Sequence, residues 1–189
     1  PPGILSVLPG KGSVVGDALV RHPLIKRIAF TGGTSTGIGI ARLAAEKLMP
    51  VSLELGGKSP TIVCADADLD HAVAGVVYGI FSSSGESCIA GSRALVHASV
   101  YDEFKSRLLA AVKGLRVADP ALESTHMGPL VNRGHRDSVE RYVQLGRDEG
   151  GRILCGGARP QGGYYDQGSY YLPTVIEGLA NTARMCREE

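Results

Sequence analysis

Short apolar runs that alternate with helix-periodic segments along nearly the whole chain predict an α/β protein with a largely parallel sheet. Two observations add to that. The apolar runs end in glycine or proline turns that lead into helices, and 43% hydrophobic with 21% charged residues is ordinary globular composition for 189 residues. That length suits one large domain or a domain and a half.

Taken in order, Ile4 to Leu8 is apolar and stops at Pro9-Gly10-Lys11-Gly12, which predicts a strand leaving through a turn. Residues 13–21 carry Val14, Val15, Ala18 and Leu19 at helical spacing. Lys26 to Phe30 reads as a strand that breaks at Thr31-Gly32-Gly33-Thr34-Ser35-Thr36-Gly37, and Ile38 to Met49 as the helix after it, closed by Pro50. Val51 to Leu55 is short and apolar, as expected of a parallel strand buried on both faces. Gly56-Gly57 then suggests a boundary that would divide the chain into 1–56 and 57–189.

Beyond it, Pro60 to Ala65 reads as a strand and the segment from Leu69 or Asp70 as a long apolar helix that frays into Ser82-Ser83-Ser84-Gly85. Ala94 to His97 is a strand, 101–115 an amphipathic helix, and 132–149 a charged surface helix. Ile153 to Cys155 and Tyr170 to Ile176 are the last expected strands. There is no internal repeat.

A formal charge of +1, with both signs scattered, advertises neither a nucleic-acid nor a membrane partner, so a small molecule is the default ligand. No apolar run approaches the roughly 18 to 20 residues of a bilayer span, and the start lacks a signal-peptide plan. Cys64, Cys88, Cys155 and Cys186 lie far apart without a companion histidine at ligand spacing, which argues for reduced thiols and against a metal site. A soluble, cytoplasmic protein is the expectation. The opening Pro1-Pro2-Gly3, with no methionine, suggests a piece of a longer chain.

Three stretches carry chemistry. Backbone N–H groups at the Gly32 to Gly37 turn could bind a diphosphate, although Gly-x-Thr-x-x-Gly is not the usual dinucleotide fingerprint and a plain tight turn is an equal reading. Glu54, within Val51-Ser52-Leu53-Glu54-Leu55, is a carboxylate at the end of an apolar strand. Either it has a partner or a raised pKa suited to proton transfer, or the alternation points it at solvent or Lys58. Cys88 follows 34 residues later, between small residues that would let its thiol face a cleft and its own N–H meet a carbonyl oxygen. Cys64 and Cys155, in apolar runs, read as small buried hydrophobes, and the five histidines as ordinary surface or packing residues.

Phe30-Thr31-Gly32-Gly33-Thr34-Ser35-Thr36-Gly37, Leu53-Glu54-Leu55-Gly56-Gly57-Lys58-Ser59-Pro60 and Gly85-Glu86-Ser87-Cys88-Ile89-Ala90-Gly91-Ser92-Arg93 together resemble the NAD(P)-dependent aldehyde dehydrogenase superfamily, and the likeness runs the length of the chain. The resemblance implies a three-layer α/β fold with a Rossmann-like cofactor half, so that 1–56 would end the NAD(P)-binding domain and 57–189 form much of the catalytic domain. It also implies that Cys88 attacks an aldehyde and that Glu54 activates the water which hydrolyses the thioester. Gly32, Gly33, Thr34, Ser35, Thr36 and Gly37 would cradle the diphosphate of NAD or NADP, Leu55 and Gly56 would lie by the nicotinamide, and Glu189 would hold its ribose. Gly33 stands where many members carry serine, and Glu86 where glutamine is common. The family resemblance further implies a homodimer or homotetramer for a complete chain. Two rivals are an inactive scaffold module and a cysteine hydrolase working through Cys88 and a histidine.

Overall fold

A computed structural model describes residues 1–189, and these divide into two compact units, Pro1–Gly56 and Gly57–Glu189. The class is α/β: of three strand pairs, two are parallel and one antiparallel.

The first unit is built on one parallel pair, β1 (Ile28–Gly32) and β2 (Val51–Leu55), joined by helix α2 (Thr34–Ala45). A short helix α1 (Asp17–Arg21) precedes them after a π-turn over Gly12–Gly16. Register pairs Thr31 with Glu54 and Gly32 with Leu55, so both strands finish at the same edge. Ala44, Met49 and Val20 supply the buried apolar surface. The β2 residues are half-buried, with Glu54 exposed, rather than covered on both faces. The strand expected over Ile4 to Leu8 does not form, and its side chains are exposed. The physical reason is pairing: no strand of the unit lies beside it, and an apolar run without a ladder partner gains no strand hydrogen bonds.

The second unit opens with the parallel pair β3 (Pro60–Val63) and β4 (Arg93–Val96), bridged by α3 (Leu69–Phe81). Asp68 caps α3 by accepting from the Asp70 and His71 N–H groups. Helix α4 (Tyr101–Lys113) packs on α3, and together they bury Val63, Val73, Val76, Phe104, Leu108 and Val112. Phe104 anchors this core at 2% exposure, and emptying that site would cost ~3–5 kcal/mol. Helix α5 (Arg133–Asp148), capped by the Asn132 side chain on the His135 N–H, lays Val143 against Leu130 and Tyr171. The antiparallel pair is β5 (Arg152–Cys155) with β6 (Val175–Glu177).

Two expectations need correction here. The strand anticipated over Tyr170 to Ile176 shortens to β6, because Tyr170 and Tyr171 turn into separate apolar clusters and Pro173 has no N–H for a ladder. Cys64 is exposed rather than buried. Strand period explains it: Val63 faces the α3–α4 core, which leaves Ile62 and Cys64 on the opposite face, where Ile62 is 68% exposed. Cys155 is half-buried as a small apolar group, and burial pushes its thiol up. No helix is long and apolar enough to cross a membrane.

Candidate active site

The glycine turn of the first unit is tighter than its sequence suggests. Thr31 and Gly32 still belong to β1, and Thr34 already begins α2, which leaves Gly33 alone as the connection. Gly33 takes an extended conformation (φ −66°, ψ 144°) and offers no side-chain cap. The first intrahelical bond, from Gly37 N–H to Gly33 O, is 3.1 Å, so the N–H groups of Thr34, Ser35 and Thr36 point out of the helix end unpaired. No acidic residue sits in this first turn.

Two of the glycines are needed for close approach. A Cβ on Gly37 would lie 2.6 Å from the Leu55 side chain, and one on Gly32 would lie 2.6 Å from the Phe30 ring. Gly37 lets α2 start close to the end of β2, and Gly32 leaves room for the Phe30 ring of its own strand. The result brings Gly32, Gly33, Thr34, Ser35, Thr36, Gly37, Leu55 and Gly56 to one end of a parallel pair, at a bare helix N-terminus. Strand ends, three free N–H donors and a positive helix terminus fit a diphosphate. Glu54 is exposed at the same edge, opposite Thr31.

In the second unit the approach to Cys88 is strained. After α3, Ser83 and Ser84 both adopt left-handed conformations (φ 51° and 57°) and Gly85 follows at φ 78°. Non-glycine residues in this region cost of order 1–3 kcal/mol each and need support from their surroundings. Ala90 N–H then closes a turn on Ser87 O at 2.9 Å, with Cys88 and Ile89 at its corner. Both corner residues are exposed, while Ala90 is buried beneath them at 6%. The Cys88 N–H has no acceptor in the second unit, so it is free to meet a ligand oxygen.

Gly57 lies alongside: a Cβ there would sit 3.4 Å from the Cys88 carbonyl oxygen. Its N–H donates to a Glu189 carboxylate oxygen, which joins Cys88 and Glu189 through one glycine. Arg93 fixes this loop by donating from Nε to Lys58 O at 2.7 Å and from its backbone N–H to Ser59 O at 3.2 Å. Gly91 passes close to β3, since a Cβ there would fall 2.4 Å from Thr61 Oγ1. Burial pushes the Lys58 ammonium down, and the Glu189 charge offsets this only in part.

Glu189 itself is held by an anchor absent from the sequence reading. Glu188 accepts from Tyr142 Oη at 2.7 Å and from Arg184 at 3.0 Å, and the Arg184 N–H donates to Glu149 at 3.0 Å. This pulls the Glu188 carboxyl down to about 2, chiefly through the Arg184 hydrogen bond. A closely spaced Arg184 and Glu188 is a visible helical pair, but Tyr142 is 46 residues away and carries no local signal.

The aldehyde dehydrogenase family profile matches residues 1–189. The chain is 39% identical to a chloroplastic betaine aldehyde dehydrogenase of Atriplex hortensis and 40% identical to a peroxisomal aminoaldehyde dehydrogenase of Malus domestica. All of this chain and 37% of each relative are matched, so it spans little more than a third of their length. Among solved structures, the NAD+ complex of a Staphylococcus aureus betaine aldehyde dehydrogenase superposes with a TM-score of 0.92 at 37% identity, over 95% of this chain and 36% of that one. The NAD+ complex of a Bacillus cereus aldehyde dehydrogenase gives 0.91 at 37% identity, over 96% and 36%. The chain belongs to the aldehyde dehydrogenase family.

Proposed function

We propose that the protein carrying this chain oxidises an aldehyde to its carboxylic acid with NAD or NADP, using Cys88 as nucleophile and Glu54 as the base for hydrolysis. The observation that carries the reading is Cys88 at the exposed corner of a braced turn with its own N–H free. Such a thiol can reach a carbonyl carbon while its N–H receives the carbonyl oxygen.

The chemistry balances as follows. The Cys88 thiolate adds to the aldehyde carbon, and the oxygen becomes an oxyanion beside the Cys88 N–H. NAD(P), once bound, would supply the two-electron oxidation by taking up the hydride, and Cys88 would then carry the acyl group as a thioester. Glu54 then takes a proton from water, the oxygen adds to the thioester carbon, and the Cys88 thiolate departs as the acid forms. Gly32, Gly33, Thr34, Ser35, Thr36 and Gly37 would hold the diphosphate, Leu55 and Gly56 would lie by the nicotinamide, and Glu189 would hold the ribose. The bare start of α2 supports the first of these roles, and the Gly57 link between Cys88 and Glu189 supports the last. The two units accordingly act as the end of a cofactor domain (1–56) and the body of a catalytic domain (57–189).

The names of the relatives support amino- and ammonium-bearing aldehydes as the first substrates to try. Four free cysteines support a reducing, cytoplasmic setting. A homodimer or homotetramer is the assembly we expect for the complete chain.

The test is to incubate the full-length protein with a panel of aldehydes and either nicotinamide cofactor, following reduction of the cofactor and release of acid. Acid and reduced cofactor should appear in equal amounts. Ester hydrolysis without any cofactor reduction would instead favour a cysteine hydrolase, and no turnover at all would favour a scaffold.

A further inference from the structure

Glu86 stands two residues before Cys88, on the strained approach to it. Its side chain is 25% exposed and reaches across to the segment that opens α5. Oε1 accepts from the Val131 N–H at 3.1 Å and lies 3.3 Å from His135 Nε2. Ser84 makes a second crossing to the same segment, donating from Oγ to Gly128 O at 3.4 Å. These two side chains join the turn before the nucleophile to residues 128–135. Within the turn the backbone bonds are local, from Glu86 N–H to Ser83 O and from Ala90 N–H to Ser87 O, and a longer one, from Gly91 N–H to Gly79 O at 3.1 Å, ties its far end back to α3. None of these backbone bonds reaches the segment that opens α5.

The far end of the tether is rigid. Asn132 caps α5, and the Leu130 N–H donates to Ser169 O at 3.0 Å, so Val131 sits between two fixed points. Leu130 is buried with Val143 and Tyr171. The Glu86 oxygen accepts the Val131 N–H, and His135 Nε2 lies within ion-pairing distance of the same oxygen. That is the kind of support two adjacent left-handed serines require.

We infer that Glu86 is a positioning residue for Cys88, holding the strained nucleophile turn against the start of α5 through the Val131 N–H and His135. The inference rests on Cys88 being the nucleophile. Its role is geometric: the oxygen must accept, and charge is secondary.

The experiment reads acylation of Cys88 in the full-length protein by an activated aryl ester, a reaction that needs no nicotinamide, beside aldehyde turnover. Glu86→Ala should slow the acylation burst and kcat roughly tenfold to a hundredfold, as expected for a nucleophile displaced by a fraction of its reach, with KM for the cofactor unchanged. Glu86→Gln keeps an acceptor oxygen for Val131 and should stay within about threefold of the parent. His135→Ala removes the weaker contact from a side chain that is 44% exposed, and should slow the burst about threefold. A full burst rate in Glu86→Ala overturns the inference, as does an equal loss in Glu86→Gln. If Glu86→Ala does not fold, an unchanged burst in His135→Ala overturns it. A Cys88→Ala variant that still shows the burst would instead sink the nucleophile assignment, which separates the two failures.

Discussion

Two glycine-bearing turns serve this molecule, and they are held in opposite ways. The Thr31 to Gly37 turn contains no positive φ, and an added Cβ would press on the Phe30 ring at Gly32 and on the Leu55 side chain at Gly37. Regular hydrogen bonding of β1 and α2 determines its shape. The Ser83 to Gly91 turn has three successive residues in left-handed conformations, and its own side chains, Glu86 and Ser84, reach out to backbone groups of a distant segment. A cradle for a ligand can be made of backbone alone, because backbone N–H groups at a helix start are already aimed. A nucleophile must project from the surface, and the turn that projects it needs outside support.

The sharpest break of this comparison is at Cys88. If the proposed function holds, Cys88→Ala in the full-length protein should lower aldehyde oxidation at least about a thousandfold, while cofactor binding measured by fluorescence titration stays intact. Intact turnover would remove Cys88 from the chemistry. The next effect belongs to Glu54. Glu54→Gln should leave the first burst of cofactor reduction and slow the steady state about a hundredfold or more, the size of a lost general base. A steady state equal to the parent's would assign the water to another group.

In the cradle, Gly37→Val tests close approach. The added side chain meets Leu55, so the variant should be destabilised by ~1–3 kcal/mol and its KM for the cofactor should rise while kcat changes little. Denaturant melts paired with cofactor titration would check both, and an unchanged KM would mean that the start of α2 does not face the ligand.

The smallest effect is the acid response of the Glu188 anchor. Its carboxyl is held at about 2 against an ordinary 4.5, so the anchor adds stability that is fully present above about pH 4.5 and is lost as pH falls toward 2. Glu188→Gln should therefore melt below the parent at pH 7, with the gap narrowing as the pH drops through that window. Since the pair is at the surface, added salt should also narrow it. A gap that stays constant with pH would mean that packing, and not charge, holds the segment.

Much of the fold was legible because local signals and pairing agree. Val51–Leu55 appears as a strand with the expected bounds, and Asp68 and Asn132 cap the helices that follow them. Where they part, pairing decides. Ile4 to Leu8 has strand composition and no neighbour, and Tyr170 to Pro173 is drawn into two apolar clusters before β6 can start. The three motifs were likewise readable, since glycine spacing, a carboxylate at a strand end and an isolated cysteine are local patterns. Their supports were not: Glu86 meets Val131 across 45 residues, and Gly57 meets Glu189 across 132.

By itself, then, the sequence determined which residues can do chemistry and where the short-range turns and helix caps fall, because those depend on side-chain type and neighbours within one turn. Tertiary structure alone decided which faces are covered and which side chains hold Cys88 and Glu189 in place. Such contacts join segments whose separation along the chain carries no periodic mark, and only packing of α3, α4 and α5 against their strands brings them within hydrogen-bond distance.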